Sequence, residues 1–213
     1  MISFEILQNA VRLKNFDVIA AQNRMAPLRR ELRPAEGVTP RQAGVLLLTF
    51  PTSEGMQLVL TRRTEHLRAH SGQISFPGGR HNPEDESLIA TALRETCEEL
   101  GVCDDQVRIL GPLSTIYVPP SNFEVHPTVG ALNSVPIFRP NPHEVAEVLT
   151  FPLSLLLDDR AKAAEDWDFQ GVVYSVPFYW INNHKVWGAT AAMLSELEGR
   201  LRAVLPPEML INP

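Results

Sequence analysis

Apolar positions along the chain follow two periods, and the change from one to the other marks the elements. Within residues 85–101, Ile89, Ala92, Leu93, Thr96, Cys97 and Leu100 fall on one arc at about 100° per residue, which predicts an amphipathic helix. Asp85 or Ser87 can cap its start, Pro83 lies just before it, and Gly101 suits a left-handed C-terminal position. Helical spacing also links Phe4, Leu7 and Val11, then Val18, Ala21 and Met25, so residues 1–35 read as one or two helices, the second ended or kinked by Pro27. Residues 189–205 form a further helix, with Ala192, Leu194, Leu197 and Leu201 as packing positions. The runs 43–50 and 56–61 read as strands joined by turn chemistry at Pro51–Gly55. Residues 107–117 and 123–132 read as strands paired across Pro119-Pro120-Ser121-Asn122, and 169–180 as a strand before a turn at 182–184 and the segment 185–187. Three prolines make 135–142 a loop, and 153–158 suggests a short helix.

The helix at 85–101 has a second, polar arc. Glu95, Glu98 and Glu99 are neighbours there because i, i+3 and i+4 positions share one face. Three carboxylates so close repel one another, and a divalent cation would remove that repulsion; hard cations such as Mg²⁺ take carboxylate oxygens and share them with substrate phosphates. A Glu-x-x-Glu-Glu run alone is also what a solvated charged face looks like. The Gly78-Gly79 pair leading in and the Arg94-Glu95 pair within the helix add to the acidic pattern.

The stretch resembles the Nudix box, Gly-x5-Glu-x7-Arg-Glu-U-x-Glu-Glu-x-Gly-U, with U a bulky aliphatic residue. Arg94-Glu95, Glu98-Glu99, Gly101 and Val102 match in register. Counting from Gly79, the sixth residue on is Asp85 in place of Glu, with one extra residue before Arg94; placing the acid at Glu86 restores that spacing but puts Arg80 at the Gly position. Thr96 stands where an aliphatic residue is usual. Upstream, Leu60, Thr61, Arg63, Arg68, Gly72 and Phe76-Pro77-Gly78-Gly79 are similar to the added signature of the coenzyme A pyrophosphatase subgroup, with Val59 and Thr64 as mild departures. The junction at 186–191 also resembles that subgroup, and Trp187 within it reads as core.

The resemblance implies an α/β/α sandwich: an α/β fold with a mixed sheet and a loop-helix-loop box. An N-terminal helical segment (1–35) would precede the Nudix domain proper (36–213). It implies metal-dependent hydrolysis of coenzyme A or acyl-CoA to adenosine 3′,5′-bisphosphate and a 4′-phosphopantetheine, with Mg²⁺ or Mn²⁺ as cofactor. Glu95 and Glu99 are the implied metal ligands, Glu98 is ligand or general base, and the Gly79 carbonyl is a further ligand. Arg94 would orient a box carboxylate, Asp85 or Glu86, unless it pairs on the surface with Glu98. Glu144 and Glu147 resemble the late acidic segment where some members place another catalytic carboxylate; the alternative is a solvated strand edge. Arginine forks match phosphate geometry, so Arg62, Arg63, Arg68 and Arg80, with His70 and Gln73, are the candidate substrate contacts. His66 and His70 have i, i+4 spacing, but no third ligand is suitably spaced for zinc, and His66 reads as surface.

Composition changes this picture little. The 213 residues suffice for one domain with a substantial core. A net charge of −6 gives no footprint for nucleic acid or an anionic membrane, so any polyanionic substrate must be met by local basic residues and metal. No apolar run approaches the length of a membrane helix, and the N-terminus lacks a signal-peptide pattern, so the expected location is the cytoplasm, as monomer or homodimer. Cys97 and Cys103 cannot make a disulfide framework, and Cys97 reads as a small buried residue in a reducing compartment. Two other functions stay open: a Nudix pyrophosphatase for another nucleoside diphosphate derivative, or a non-catalytic ligand-sensing module.

Overall fold

The structure, a computed structural model, describes residues 1–26, 33–65, 72–169 and 171–210. In chain order the elements are α1 (Phe4–Val11), α2 (Val18–Asn23), β1 (Arg41–Thr52), β2 (Gly55–Arg63), β3 (Ile74–Ser75), β4 (Gly78–Arg80) and α3 (Leu88–Leu100). There follow β5 (Arg108–Pro112), β6 (Ile116–Val118), β7 (Phe123–Ala131), β8 (Val145–Pro152), β9 (Lys162–Phe169), β10 (Val172–Ile181), β11 (His184–Trp187) and α4 (Gly188–Val204).

Strands β1 and β2 have apolar runs because both of their faces are covered. Alternation along β1 sends Leu46, Leu48 and Phe50 to the side of α3 and Leu47 to the side of α1 and α4. The same split separates Val59 from Leu58 and Leu60 on β2. The main sheet runs β3-β2-β1-β7-β5, with β4 on β1, β6 on β7 and β8 on β2. It is mixed, since β1 and β7 are parallel while the other pairs are antiparallel. Helix α3 packs on one face and α4 on the other, the α/β/α layering. Helices α1 and α2 lie on α4, and Ile2, Leu7, Ala10, Val11 and Met25 join the core there.

Four readings are corrected or sharpened. The segment 107–117 is two strands, broken at Leu113-Ser114-Thr115, where Ser114 turns its N–H and hydroxyl to Glu196. The run 169–180 begins one strand late: β9 precedes it and pairs antiparallel with β10 through a turn at Gly171, in a small sheet β11-β10-β9. Helix α2 ends at Asn23, before Pro27, which lies outside the described residues. Cys97 is half-buried and bonded to Cys103, not a free core thiol, because left-handed Gly101 (φ 70°) turns the chain back beside the last helical turn. No helix among the described residues is long and apolar enough to cross a membrane.

Candidate active site

Helix α3 starts at Ser87, whose hydroxyl accepts from the Ala90 N–H at 3.1 Å. Its last turn is closed by the proline-rich loop: the Arg139 N–H donates to the Leu100 carbonyl and the Asn141 N–H to the Glu99 carbonyl, at 2.8 and 2.9 Å. Those bonds satisfy carbonyls a helix end otherwise leaves open, and they deliver Glu144 to the acidic face. On the other side β4 pairs with β1, Gly79 opposite Gly44. A Cβ on Gly79 would run into the Glu95 carboxylate, so only a glycine lets the loop backbone lie against that side chain.

Asp85, freed from capping, forms a two-pronged pair with Arg94, Nε to Oδ1 at 2.9 Å and Nη2 to Oδ2 at 3.1 Å. That pairing, helped by the Asn82 N–H, holds Asp85 well below the usual carboxylate range and pushes Arg94 higher. The same guanidinium reaches Glu95 at 2.9 Å, Glu98 at 3.2 Å and the Arg80 carbonyl at 3.3 Å. Arg94 therefore serves both roles left open by the sequence, with Asp85 as the box partner, while Glu86 is exposed.

The three helix carboxylates differ in surroundings. Glu98 is the outermost, with its side chain 53% exposed. Burial pushes the Glu95 carboxyl up, Arg94 opposes that, and the charges of Glu98 and Glu144 add to it. Glu99 is 2% exposed, and burial, with Glu144 and Glu95 adding to it, pushes its carboxyl up to about 8. Its one cationic neighbour in that balance is Arg63, at 3.8 Å from Oε1. Oε2 of Glu99 and Nε of Arg63 are both buried and both lack a hydrogen-bond partner. Such groups are costly and rare in native proteins. A cation or a donor would satisfy the first and an acceptor the second.

Among the described residues no three His, Cys, Asp or Glu side chains close a metal cage by themselves. The donor set nevertheless fits a hard divalent ion, since the charge of Glu144 bears on both Glu95 and Glu99 and one Glu99 oxygen stands unpartnered. Mg²⁺ retains waters and completes its shell with substrate phosphate, so an incomplete protein cage suits it.

The other candidates separate. Arg62 and Arg63 are adjacent on β2 and diverge at the register shift in its pairing with β8. Arg63 goes to Glu99, whereas Arg62 pairs with Glu147 at 3.1 Å, and Glu147 also meets His184 at 3.2 Å. Glu144 joins the box carboxylates and Glu147 does not share its partners. The Gln73 carbonyl accepts from the Arg63 N–H at 3.0 Å, and Arg80 is exposed on β4. His66, Arg68 and His70 lie outside the described residues. The sequence reading missed His184, whose partner lies 37 positions earlier, and no local pattern announces such a contact.

A family model described as NUDIX domain matches residues 39–170. The chain is 40% identical over 140 residues to "Uncharacterized Nudix hydrolase NudL" of Photorhabdus laumondii subsp. laumondii, covering 66% of this chain and 74% of the relative. It is 38% identical over 159 residues to the protein of the same description from Yersinia pestis, covering 75% and 79%. A MutT/nudix family protein from Enterococcus faecalis aligns over 94% of this chain and 73% of its own at a TM-score of 0.50 and 15% identity, a likeness of fold. Matched family, shared fold and an acidic helix framed by a glycine loop agree: the chain belongs to the Nudix hydrolase family.

Proposed function

We propose that this Nudix hydrolase is a metal-dependent pyrophosphatase of coenzyme A or acyl-CoA, using Mg²⁺ or Mn²⁺. The observation that carries the metal–pyrophosphate part is the adjacent pair of unsatisfied groups, Glu99 Oε2 and Arg63 Nε. A cation on the first and a phosphate oxygen on the second satisfy both at once. The coenzyme A part is supported by the residues that lead into that site, Leu60, Thr61, Arg63, Gly72 and Phe76-Pro77-Gly78-Gly79, of which Arg63 meets Glu99 and Gly79 lies against Glu95.

Glu95, Glu99 and the Gly79 carbonyl would hold the ion, which when bound supplies charge neutralisation of the pyrophosphate and a more acidic water. Arg63 orients the phosphate beside it. Glu144, facing Glu95 and Glu99, takes the proton from the attacking water as oxygen bonds to phosphorus and the bridging P–O bond breaks. Arg94, held by Asp85, fixes Glu95 and Glu98 in place. The products are adenosine 3′,5′-bisphosphate and (acyl-)4′-phosphopantetheine.

Product analysis by mass spectrometry tests this with CoA, acetyl-CoA, ADP-ribose and a diadenosine polyphosphate, each with Mg²⁺, Mn²⁺ or chelator. Adenosine 3′,5′-bisphosphate from CoA, only with metal and not with Glu99→Gln, is the expected result. Turnover of the other compounds but not CoA would overturn the substrate assignment, and turnover of none would overturn hydrolysis.

A further inference from the structure

Strand β8 is entered through a turn built on Asn141. The Glu144 N–H donates back to the Asn141 carbonyl at 3.0 Å, and the Val145 N–H donates to the same oxygen at 2.8 Å. Asparagine at the first position and Pro142 at the second suit such a turn. Oδ1 of Asn141 accepts from the His143 N–H at 3.1 Å, the local bond by which this residue type closes turns. Turn formation alone accounts for that much.

Two further contacts of Asn141 are not required by the turn. Its backbone N–H reaches out of the loop to the Glu99 carbonyl at 2.9 Å, which docks the turn on the end of α3. Its side-chain Nδ2 donates to Glu144 Oε1 at 3.4 Å. The other end of the amide settles this orientation: a backbone N–H at Oδ1 requires an oxygen there, which leaves the NH₂ group for the carboxylate. From the opposite side Thr64, the buried residue after β2, donates its N–H to the Glu144 carbonyl and its hydroxyl to the His143 carbonyl, both at 3.0 Å. The Glu144 backbone is thereby tied to the same two elements that carry Glu99 and Arg63. Its half-buried side chain keeps torsions that backbone bonds do not restrain. A carboxylate that takes a proton from water must be held within hydrogen-bond reach of it.

We infer that Asn141 is a positioning residue for the hydrolysis: its side-chain amide holds the Glu144 carboxylate at the acidic face of α3, oriented to take the proton from the attacking water. The inference rests on the pyrophosphatase reading for the role of Glu144. It does not depend on which pyrophosphate compound is the substrate.

Steady-state kinetics of the full-length protein at saturating Mn²⁺ test it, with Asn141→Asp, Asn141→Ser, Glu144→Gln and the double variant of Asn141→Asp with Glu144→Gln. The substrate is CoA, or ADP-ribose or a diadenosine polyphosphate if one of those is turned over in its place. Aspartate serves the turn as asparagine does, since it presents an oxygen to the His143 N–H, but it has no amide to donate. Asn141→Asp should lower kcat by about tenfold or more, with KM within about twofold of wild type and the melting temperature unchanged. Asn141→Ser keeps a turn oxygen without adding charge and should lose kcat as well. In the Glu144→Gln background Asn141→Asp should cost nothing further, because a residue acting through Glu144 then has nothing left to orient. A wild-type kcat in either Asn141 variant, or an equal loss with and without Glu144, overturns the inference and leaves the pyrophosphatase reading standing. A wild-type kcat in Glu144→Gln removes the base role and the inference together.

Discussion

Helices α3 and α4 both bury glutamates, and they treat them in opposite ways. On α4, Glu196 is fully buried but accepts from Gln22, from the N–H and hydroxyl of Ser114 and from Arg200. Glu198, two positions on, takes Lys162, Arg202 and the Tyr179 hydroxyl, which burial and that carboxylate push up. Both carboxylates are saturated, and they pin α2, β6's approach and β9 to the last helix. On α3, Glu99 is as deeply buried but keeps one oxygen without a partner, and its neighbours in charge include two more carboxylates. Burial of charge therefore does not by itself mark a functional residue. What sets Glu99 apart is burial without enough partners, a cost that a bound cation would remove.

That contrast can be broken by mutation. Glu99→Gln should lower turnover by about 10²–10³-fold or more at saturating metal, with the circular dichroism spectrum unchanged. Glu196→Ala should do the reverse, costing about 3–5 kcal/mol in denaturant unfolding because Arg200 and Ser114 lose their acceptor, while the folded fraction keeps its kcat. Equal loss of stability in the two variants would erase the distinction between the helices.

The pH dependence of the metal-free protein sharpens it. The folded-state value for Glu99 is raised from an ordinary 4.5 to about 8, so its protonated form is favoured in the fold. The resulting stability is fully present below pH 4.5 and is lost as pH rises to about 8. The metal-free Tm should carry a falling contribution across that window, absent in Glu99→Gln, and added Mg²⁺ or Mn²⁺ should raise Tm more at pH 8 than at pH 5. A Tm response to metal that is larger at pH 5 would contradict this. The smallest effect belongs to Glu147→Gln, whose pair with Arg62 is half-exposed: about 1 kcal/mol or less in stability.

Much of α3 was legible because local signals agree: a serine cap, an apolar arc, and a glycine at the left-handed end. The acidic face was legible for the same geometric reason. Which carboxylate is buried was not, since Glu98 and Glu99 are adjacent in sequence and differ only in what the proline-rich loop and β2 bring against them. Strand β9 escaped notice because Lys-Ala-Ala-Glu-Asp-Trp-Asp-Phe has no apolar alternation, its pairing being set by the turn at Gly171. Glu196, Glu198 and Arg200 on α4 are charged residues buried against α1, α2 and Lys162 of β9, all distant in the chain, so no local pattern announces their burial. Arg62 and Arg63 read as one basic pair, but a strand sends neighbours to opposite sides, and the structure sends Arg63 to Glu99 and Arg62 to Glu147.

The central claim is that the unsatisfied oxygen of Glu99 is the metal's place. A Mn²⁺ titration at pH 8 followed by electron paramagnetic resonance, on wild type, Glu99→Gln and Glu147→Gln, tests it most directly. The account predicts that Glu99→Gln weakens Mn²⁺ binding by at least about tenfold and that Glu147→Gln leaves it unchanged. Equal Mn²⁺ affinity in wild type and Glu99→Gln would contradict it.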